Sequence, residues 1–409
     1  MRVLQINQSD VTGGAAIAAY RLHQGLLRQG IGSKLLVGHV TQTDALVAPT
    51  PPQPLRKKLK NLEEWLGLRY ITYWSTQAIA QHPFYQEADV LHFHNLHGGY
   101  FNYLFLPYLT RNKPAVYTLH DMWGFTGHCS YSFDCNRWQK GCGSCPYLDI
   151  YPSVQRDGTA IEWQLKNWVY YHAHLTIVTP SRWLMNQAQM SMLSHLEIRH
   201  IANGIDLETY RPLEQEWCRY FLGIRDKKYV LLTSSINFHD PRKGSHLLIQ
   251  ALNRLPPALK QETLLLAMGA AGDVLEAEVD MEVYALVYIH LDRLKAGIFA
   301  AADVFVLPTR ADNLPLVLQE ALACGTPSVA FAVGGVPELV RPGLTGALAE
   351  PENPQDLAQK IEQLLVDRET RQTMSQHCRA IAVQEYDLVQ QAQRYGELYR
   401  QVQTTFLAR

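Results

Sequence analysis

The chain has 409 residues, of which 47% are hydrophobic and 18% charged, and its formal net charge is −1. A chain of this length is too long to fold around one ordinary hydrophobic core, so at least two domains are expected. The composition is that of a folded globular protein, and the near-zero net charge argues against a nucleic-acid partner. The chain has no apolar stretch of bilayer-spanning length, and its start, MRVLQIN, is typical of a strand. We therefore expect a cytoplasmic protein.

The first predicted strand, Val3–Ile6, is followed by a turn of small residues and a predicted helix that ends near Gly30. The turn contains Gly13 and Gly14 but lacks the G-x-G-x-x-G pattern, so a nicotinamide dinucleotide is disfavoured. Small residues at a strand-to-helix turn let a substrate or a phosphate approach the backbone. The alternative is a turn kept small for packing alone.

Residues 55–66, LRKKLKNLEEWL, are predicted to form a short basic amphipathic helix. Leu55, Leu59, Leu62 and Leu66 share one stripe, with lysines beside it. The favoured interpretation is a surface helix whose leucines pack inward. The alternative is a contact with an anionic membrane surface, which would bring a lipid-linked acceptor to the protein.

Histidines follow two predicted strands of the first half. The strand at 90–94 ends at His94, with His97 close behind, and the strand at 115–119 is followed by His120. Because parallel strands present their carboxyl ends to ligands, His120 is a candidate for the reaction centre. His94 and His97 are candidate acceptor contacts. The alternative for His120 is a hydrogen-bonded core histidine.

An insert at 128–146 carries four of the seven cysteines, namely Cys129, Cys135, Cys142 and Cys145. The last two form a C-x-x-C pair, the usual half of a tetrahedral zinc site. A cytoplasmic location favours thiols or metal ligands over disulfides. Structural zinc is one interpretation, and a redox pair or plain thiols are the others. Four protein ligands leave no open position, so such a metal would not be catalytic.

The second half begins with a predicted strand at 229–234, followed by Arg242, Lys243 and a helix from Ser245. Two adjacent cations at a helix start suit a diphosphate leaving group, through charge-assisted hydrogen bonds. The alternative is a solvated basic turn.

A predicted strand–loop–helix–strand unit spans 303–338. Asp312 lies in the loop after the strand at 304–307, and Glu320 lies on the following helix. Carboxylates accept hydrogen bonds from the vicinal diols of a ribose or a hexose. Gly334 and Gly335 then precede a second helix start, where backbone N–H groups can bind phosphate. The alternative is two unrelated surface acids on an ordinary βαβ unit.

These motifs resemble the donor site of the retaining GT-B glycosyltransferases of family four. The resemblance rests on two acids separated by seven residues (Asp312 and Glu320), on EALACGTP at 320–327 and on GGVPE at 334–338. Asp312 stands where the family usually has glutamate. The usual G-R-L triplet is missing near Lys243, and Arg242 stands beside that lysine.

The resemblance implies an α/β protein of two Rossmann-like, doubly wound domains facing each other across a cleft. The first domain would be 1–206, with an acceptor-binding role, and the second would be 207–385, which binds the donor. Residues 386–409 would form a helix that returns to the first domain.

The implied reaction moves a sugar from a UDP- or GDP-sugar to a saccharide or lipid-linked acceptor, with retention, in polysaccharide biosynthesis. Arg242 and Lys243 would stabilise the diphosphate, Glu320 would bind the ribose and Asp312 the donor sugar, and His120 would line the reaction centre. Further donor contacts are expected from Gly13, Gly14, Ile289, Gly334, Gly335 and Glu338. The sequence contains no D-x-D triplet, so no catalytic metal is expected. The alternatives are a sugar-nucleotide epimerase of the same architecture and a non-catalytic nucleotide-sugar-binding scaffold.

Overall fold

The computed structural model describes residues 1–54 and 56–408, with the side chains of 56–59 excepted. The chain divides into two compact units. Unit 1 is Met1–Gly204 with the C-terminal segment from Leu388, and unit 2 is Ile205–Asp387. The predicted domain boundaries lie after residues 206 and 385, and the observed units end at residues 204 and 387.

Unit 1 contains a parallel sheet, which has seven strands within the described residues, in the order β3-β2-β1-β4-β5-β6-β7. The central strands β4, β5 and β6, which are rich in apolar residues, are buried on both faces, as helix-covered parallel strands require. The strands are β1 (Arg2–Ser9), β2 (Gly32–His39), β3 (Val47–Pro49), β4 (Val90–Phe93), β5 (Ala115–Thr118), β6 (Leu175–Thr179) and β7 (Ile198–His200). The connecting helices are α1 (Gly14–Arg28), α2 (Arg56–Leu66), α3 (Pro83–Glu87), α4 (Leu106–Leu109), α5 (Thr159–His172) and α6 (Arg182–Gln189).

Unit 2 repeats this architecture with a parallel sheet that has six strands in the described chain, in the order β10-β9-β8-β11-β12-β13. The strands are β8 (Tyr229–Asn237), β9 (Thr263–Ala270), β10 (Glu282–Leu286), β11 (Val304–Leu307), β12 (Ser328–Phe331) and β13 (Gly346–Ala349). The helices are α7 (Gln215–Phe221), α8 (Ser245–Asn253), α9 (Pro257–Glu262), α10 (Asp273–Glu278), α11 (Asp292–Ala301), α12 (Leu316–Cys324), α13 (Val336–Leu339), α14 (Pro354–Val366) and α15 (Arg368–Glu385).

The last helix, α16 (Leu388–Leu407), packs on unit 1 although it follows unit 2 in the chain. Its Tyr395 and Tyr399 are buried in one apolar cluster with Leu22 and Leu26 of α1. Gly25 of α1 allows this approach, because a Cβ there would lie 3.1 Å from the Cβ of Ala392. The C-terminal helix thus completes the core of the first unit.

In each sheet the strand order reverses once, between β1 and β4 in unit 1 and between β8 and β11 in unit 2. The carboxyl ends of the strands beside such a switch point are where open α/β sheets bind their ligands. The loops after β8 and β11 carry Lys243 and Asp312, and the loops after β1 and β4 carry Gly13 and His94. The switch points therefore hold many of the predicted site residues.

Helix α2 differs from the favoured interpretation of an inward leucine stripe. Leu62 and Leu66 are 46% and 37% exposed, while Glu63 between them is only 3% exposed. The Glu63 carboxylate accepts hydrogen bonds from the backbone N–H and the hydroxyl of Thr72, at 2.8 and 2.7 Å. Leu55 and the side chain of Leu59 lie outside the described residues. In the described part of the chain, no helix is both long enough and apolar enough to cross a bilayer.

Candidate active site

The loops after β8 and β11 bring three predicted donor-site residues together. Lys243 Nζ lies 2.8 Å from Asp312 Oδ2, and Arg242 Nη1 lies 3.4 Å from the same oxygen. Arg242 and Lys243 belong to a 3₁₀ turn, Pro241–Lys243, which is capped by the side chain of Asp240. The two cations and the acid that the family resemblance assigned to one donor site are thus direct neighbours.

Backbone contacts hold these two loops against each other. Arg310 N–H donates to the carbonyl of Arg242 at 2.8 Å, and the Arg242 guanidinium donates to the carbonyl of Ala311 at 2.8 Å. Gly244 has φ +71°, and a Cβ there would lie 2.0 Å from the carbonyl oxygen of Pro308. Only glycine fits this position, because the conformation is left-handed and the approach leaves no room for a side chain.

The charges of the cluster favour an ionised Asp312. Burial alone would raise the pKa of this carboxyl, but Lys243 and Arg242 outweigh it and hold the pKa below its usual value of 3.8. Asn313 N–H also donates to the carboxylate, at 3.1 Å. Both cations remain half-buried. Asp312 therefore orients two positive groups at the ligand end of the sheet.

The glycine loop after β12 packs directly on Asp312. Gly335 N–H donates to the Asp312 carbonyl at 3.2 Å. Gly334 has φ +54°, and a Cβ there would lie 2.0 Å from that same carbonyl oxygen. Asp312 and the glycine loop, which were each predicted to contact the donor, are thus joined by a backbone contact that excludes any other residue at 334.

The remaining predicted residues of unit 2 lie around this cluster. Glu320 lies on α12 and is only 2% exposed. Glu338 is half-buried on the four-residue helix α13, and its carbonyl accepts from Arg341 Nε at 3.1 Å. Ile289 is half-buried in the segment between β10 and α11. Their roles toward a donor stay predictions.

In unit 1, His120 lies beside other imidazoles and an acid. His120 Nε2 is 3.1 Å from His94 Nδ1, and His97 Nε2 is 2.9 Å from Asp121 Oδ2. Burial lowers the pKa of His120 to about 4, so its ring is neutral at physiological pH. His94 and His97 are only 1% and 4% exposed. The prediction that these two contact an acceptor is therefore not supported, because neither presents the surface that such a contact needs.

The small-residue turn of unit 1 is open on its ligand side. Gly13 caps α1 with φ +94°, and a Cβ added at Gly13 or Gly14 would meet no atom within 4 Å. Close packing therefore does not explain these glycines. The left-handed backbone explains the first, and the open space at both is compatible with a bound group.

The four cysteines of the insert line one pocket together with His128. Cys145 Sγ is 3.4 Å from His128 Nε2, and Gly127 N–H donates to Cys142 Sγ at 3.2 Å. All four are free thiols, and burial raises the pKa of Cys129 to about 12. Among the described residues, no three or more His, Cys, Asp or Glu side chains already stand in positions that could hold a metal ion.

A buried ion pair behind the His120 loop was not found by the sequence analysis. Lys166 is fully buried on α5, and its Nζ donates to the carbonyls of Trp123 and Thr126 at 2.8 and 3.0 Å. Glu162, one turn earlier, lies 4.0 Å from the same Nζ. The i,i+4 spacing was the available signal, but on a helix it usually indicates an exposed pair.

Each of the two units matches the model of a known protein family. The model described as "Glycosyltransferase Family 4" matches residues 12–209, and the model "Glycosyl transferases group 1" matches residues 219–380. The chain belongs to the family four glycosyltransferases. The predicted GT-B fold class, with two Rossmann-like α/β domains, is confirmed.

Individual relatives agree with this family. The chain is 25% identical to the Escherichia coli colanic acid biosynthesis glycosyl transferase WcaC, covering 81% of this chain and 83% of that protein. It is 36% identical to the D-inositol 3-phosphate glycosyltransferase of Geodermatophilus obscurus, over 41% of this chain and only 40% of that relative. The Anabaena protein Alr3699/HepE, solved with UDP and glucose, has the same fold at a TM-score of 0.68 and 20% identity, covering 97% of this chain and 99% of that one.

Proposed function

We propose that this family four glycosyltransferase moves a sugar from a nucleotide diphosphate sugar to a saccharide or lipid-linked acceptor. The observation that carries the proposal is the convergence of Arg242 and Lys243 on Asp312 at the switch point of unit 2. Two cations fixed at the ligand end of a parallel sheet suit the developing charge of a departing diphosphate. The UDP complex of the Anabaena protein supports UDP-sugars as the first donors to test, with GDP-sugars next.

The remaining roles follow from this assignment. Arg242 and Lys243 stabilise the diphosphate, and Asp312 with the Gly334–Gly335 loop binds the hydroxyls of the donor sugar. Glu320 binds the ribose, and Gly13, Gly14, Ile289 and Glu338 supply further donor contacts. His120 lines the reaction centre of unit 1. Asp312 is one methylene shorter than the usual glutamate, so we propose an altered sugar preference rather than an inactive site.

We propose that transfer retains the anomeric configuration and needs no catalytic metal. Positive charge from side chains then replaces the metal that D-x-D enzymes use to stabilise the diphosphate. The name of one relative, the colanic acid biosynthesis glycosyl transferase WcaC, supports a role in polysaccharide assembly. NMR of the product from an α-linked donor will report retention as an α-linkage. Omission of Mg²⁺ and Mn²⁺ from the assay will leave the rate unchanged. A β-linked product, or a rate that requires added Mg²⁺ or Mn²⁺, would contradict these assignments.

Donor binding is tested by a thermal-shift panel of UDP, GDP and ADP with their sugar conjugates, because a ligand of the folded state raises Tm. We expect a shift with one nucleotide series that is lost in Glu320→Ala. Lys243→Ala should abolish transfer with the fold intact. The matched control is Lys228→Ala, in the same unit, whose exposed lysine pairs with Glu262. Near wild-type turnover in both site variants would show that the donor site is elsewhere.

The same assays separate the alternatives. An epimerase would convert the donor sugar in the absence of any acceptor. A scaffold would give the thermal shift but no turnover with any donor and acceptor pair. Transfer that depends on an added acceptor excludes both.

We also propose that the four cysteines of the insert hold a structural zinc ion. The support is that all four thiols and His128 line one pocket, with Cys142 Sγ already accepting a backbone N–H. Cys142 and Ser144 have positive φ angles of 54° and 47°, a left-handed conformation that non-glycine residues rarely adopt. Zinc–thiolate bonds of about 2.3 Å then require the thiols to rotate toward a common centre. His128 is held by Pro152, whose carbonyl lies 2.9 Å from Nδ1.

Helix α2 is the proposed contact with the inner face of the cell membrane. Trp65 and Leu62 are 61% and 46% exposed, on a helix whose Glu63 is tied to Thr72. Exposed apolar side chains on a lysine-rich helix suit an anionic bilayer surface. We expect co-sedimentation with phosphatidylglycerol vesicles but not with phosphatidylcholine vesicles, and a loss of binding in Leu62→Ser/Trp65→Ser. Equal binding of the variant to anionic vesicles would refute the contact.

A further inference from the structure

A continuous hydrogen-bonded chain leads from His120 into the interior of unit 1. His120 Nε2 is 3.1 Å from His94 Nδ1, and His94 Nε2 is 2.9 Å from Gln5 Oε1. Gln5 Nε2 donates to Ser33 Oγ at 3.0 Å, and Ser33 Oγ is 2.9 Å from His23 Nδ1. The four residues behind His120 are each at most 2% exposed. Water therefore does not compete for their hydrogen bonds.

The Gln5 amide determines which atoms donate and which accept along this series of hydrogen bonds. Because its nitrogen donates to Ser33, its oxygen faces His94 Nε2 and can only accept. Burial lowers the pKa of His94 well below its usual value, so its ring is neutral and carries a single proton. That proton must be on Nε2, where it donates to Gln5. His94 Nδ1 is then an acceptor, and the proton between the two histidines belongs to His120 Nε2.

The groups around His120 are compatible with a neutral ring. Beside it, Asp121 Oδ2 lies 2.9 Å from His97 Nε2, and Asp121 also accepts from Trp123 N–H at 2.8 Å. The His92 ring lies beside the His94 ring, with centroids 4.1 Å apart and planes tilted by 40°, but its nitrogens lie 2.7 Å from the hydroxyls of Thr118 and Tyr399. His92 therefore does not compete for the nitrogens of His94.

We propose that Gln5 and His94 are positioning residues that hold His120 in the Nε2–H tautomer, so that His120 Nδ1 accepts a hydrogen bond from a hydroxyl of the bound saccharide. The saccharide rests on the proposed function, whereas the tautomer rests on the described hydrogen bonds and on the neutral ring of His94. A neutral acceptor selects a hydroxyl, which can donate, over a carboxylate or phosphate, which cannot. The chain thereby contributes to the recognition of uncharged sugar positions.

The direct test is the tautomer of His120 in the intact protein labelled with ¹⁵N-histidine. Long-range ¹H–¹⁵N spectra distinguish a protonated from an unprotonated ring nitrogen, and the His120→Gln variant assigns the signals. We expect an unprotonated Nδ1 and a protonated Nε2 at pH 7. A protonated Nδ1 in the wild-type protein would overturn the proposal. It would mean that the Gln5 amide is rotated and that donor and acceptor are exchanged in each hydrogen bond from Gln5 to His120.

A variant of Gln5 tests the positioning role. Gln5→Met removes the acceptor and should give mixed tautomers, with kcat/KM about tenfold lower, as expected for one neutral hydrogen bond. An unchanged tautomer in Gln5→Met would refute the role of Gln5. The donor thermal shift, which reports the site in unit 2, shows separately whether the proposed function fails.

Discussion

Replacing Lys166 with methionine tests the buried ion pair that supports the His120 loop. The lysine has no exposed surface, donates to the carbonyls of Trp123 and Thr126, and lies 3.6 Å above the Trp123 ring. Glu162, at 4.0 Å, is 1% exposed. Methionine conserves most of the side-chain volume but removes the charge and the donors.

The expected loss of unfolding free energy follows from the buried groups that lose their partner in this variant. Two buried carbonyls lose their donors, and the Glu162 carboxylate loses the cation that offsets its burial. Breaking one side of a buried pair typically costs about 3–5 kcal/mol. For a unit of this size that corresponds to a Tm lower by roughly 10 °C. Burial raises the pKa of Glu162, so part of the cost is avoided if the carboxyl binds a proton.

The assay is urea unfolding of wild-type and variant proteins, with Lys60→Met as the matched control. Lys60 is 60% exposed and pairs with Glu64 at 3.4 Å, so its loss should change the unfolding free energy by less than about 1 kcal/mol. The double variant Lys166→Met/Glu162→Gln should recover part of the loss, because no buried charge remains. A single variant as stable as the control, or a double variant less stable than the single one, would refute the reasoning.

Three further predictions concern the two candidate sites. Gly334→Ala should abolish transfer and destabilise unit 2, because its Cβ would overlap the Asp312 carbonyl at 2.0 Å; normal transfer would contradict this contact. Metal analysis of protein purified without chelator should find about one zinc ion per chain, and less in Cys142→Ser. Absence of zinc from the wild-type protein would refute the zinc site. The pKa of Asp312 is lowered, so its pairing stabilises the fold above its usual pKa of 3.8 and is lost as the pH falls below it. Asp312→Asn should therefore destabilise the ligand-free protein at pH 7 but much less at pH 3.

The clustering of Lys243, Asp312 and Gly334 at one edge of the sheet was predictable because these residues follow local rules. Lys243, Asp312 and Gly334 each come just after a strand, and parallel strands bring their carboxyl ends to one edge. The spacing of Asp312 and Glu320 can be read directly from the sequence. What it could not supply was the contact between the Asp312 carbonyl and Gly334, which depends on how two loops pack.

The histidines show the limit of the same reasoning. Strand-end placement suggested that His94 contacts an acceptor, but its side chain is buried between His120 and Gln5. Whether a residue just after a strand faces the ligand or the core depends on the neighbouring strands, and Gln5 is 89 positions away in the sequence. Likewise Leu62 and Leu66 of α2 were expected inside but are exposed, whereas Glu63 is buried because Thr72 satisfies its carboxylate.

By itself, the sequence determined the positions of most strands and helices. These depend on apolar periodicity and on turn residues close together in the chain, so short-range patterns are enough to predict them. The resemblance of its motifs to family four implied the fold class and the donor-binding roles that we propose for unit 2. Only the tertiary structure decided which polar groups are buried together. Lys166 with the carbonyls of Trp123 and Thr126, and His120 with His94 and Gln5, join residues from separate elements. Their energies depend on exclusion of water and on hydrogen-bond direction, which exist only once those elements have packed.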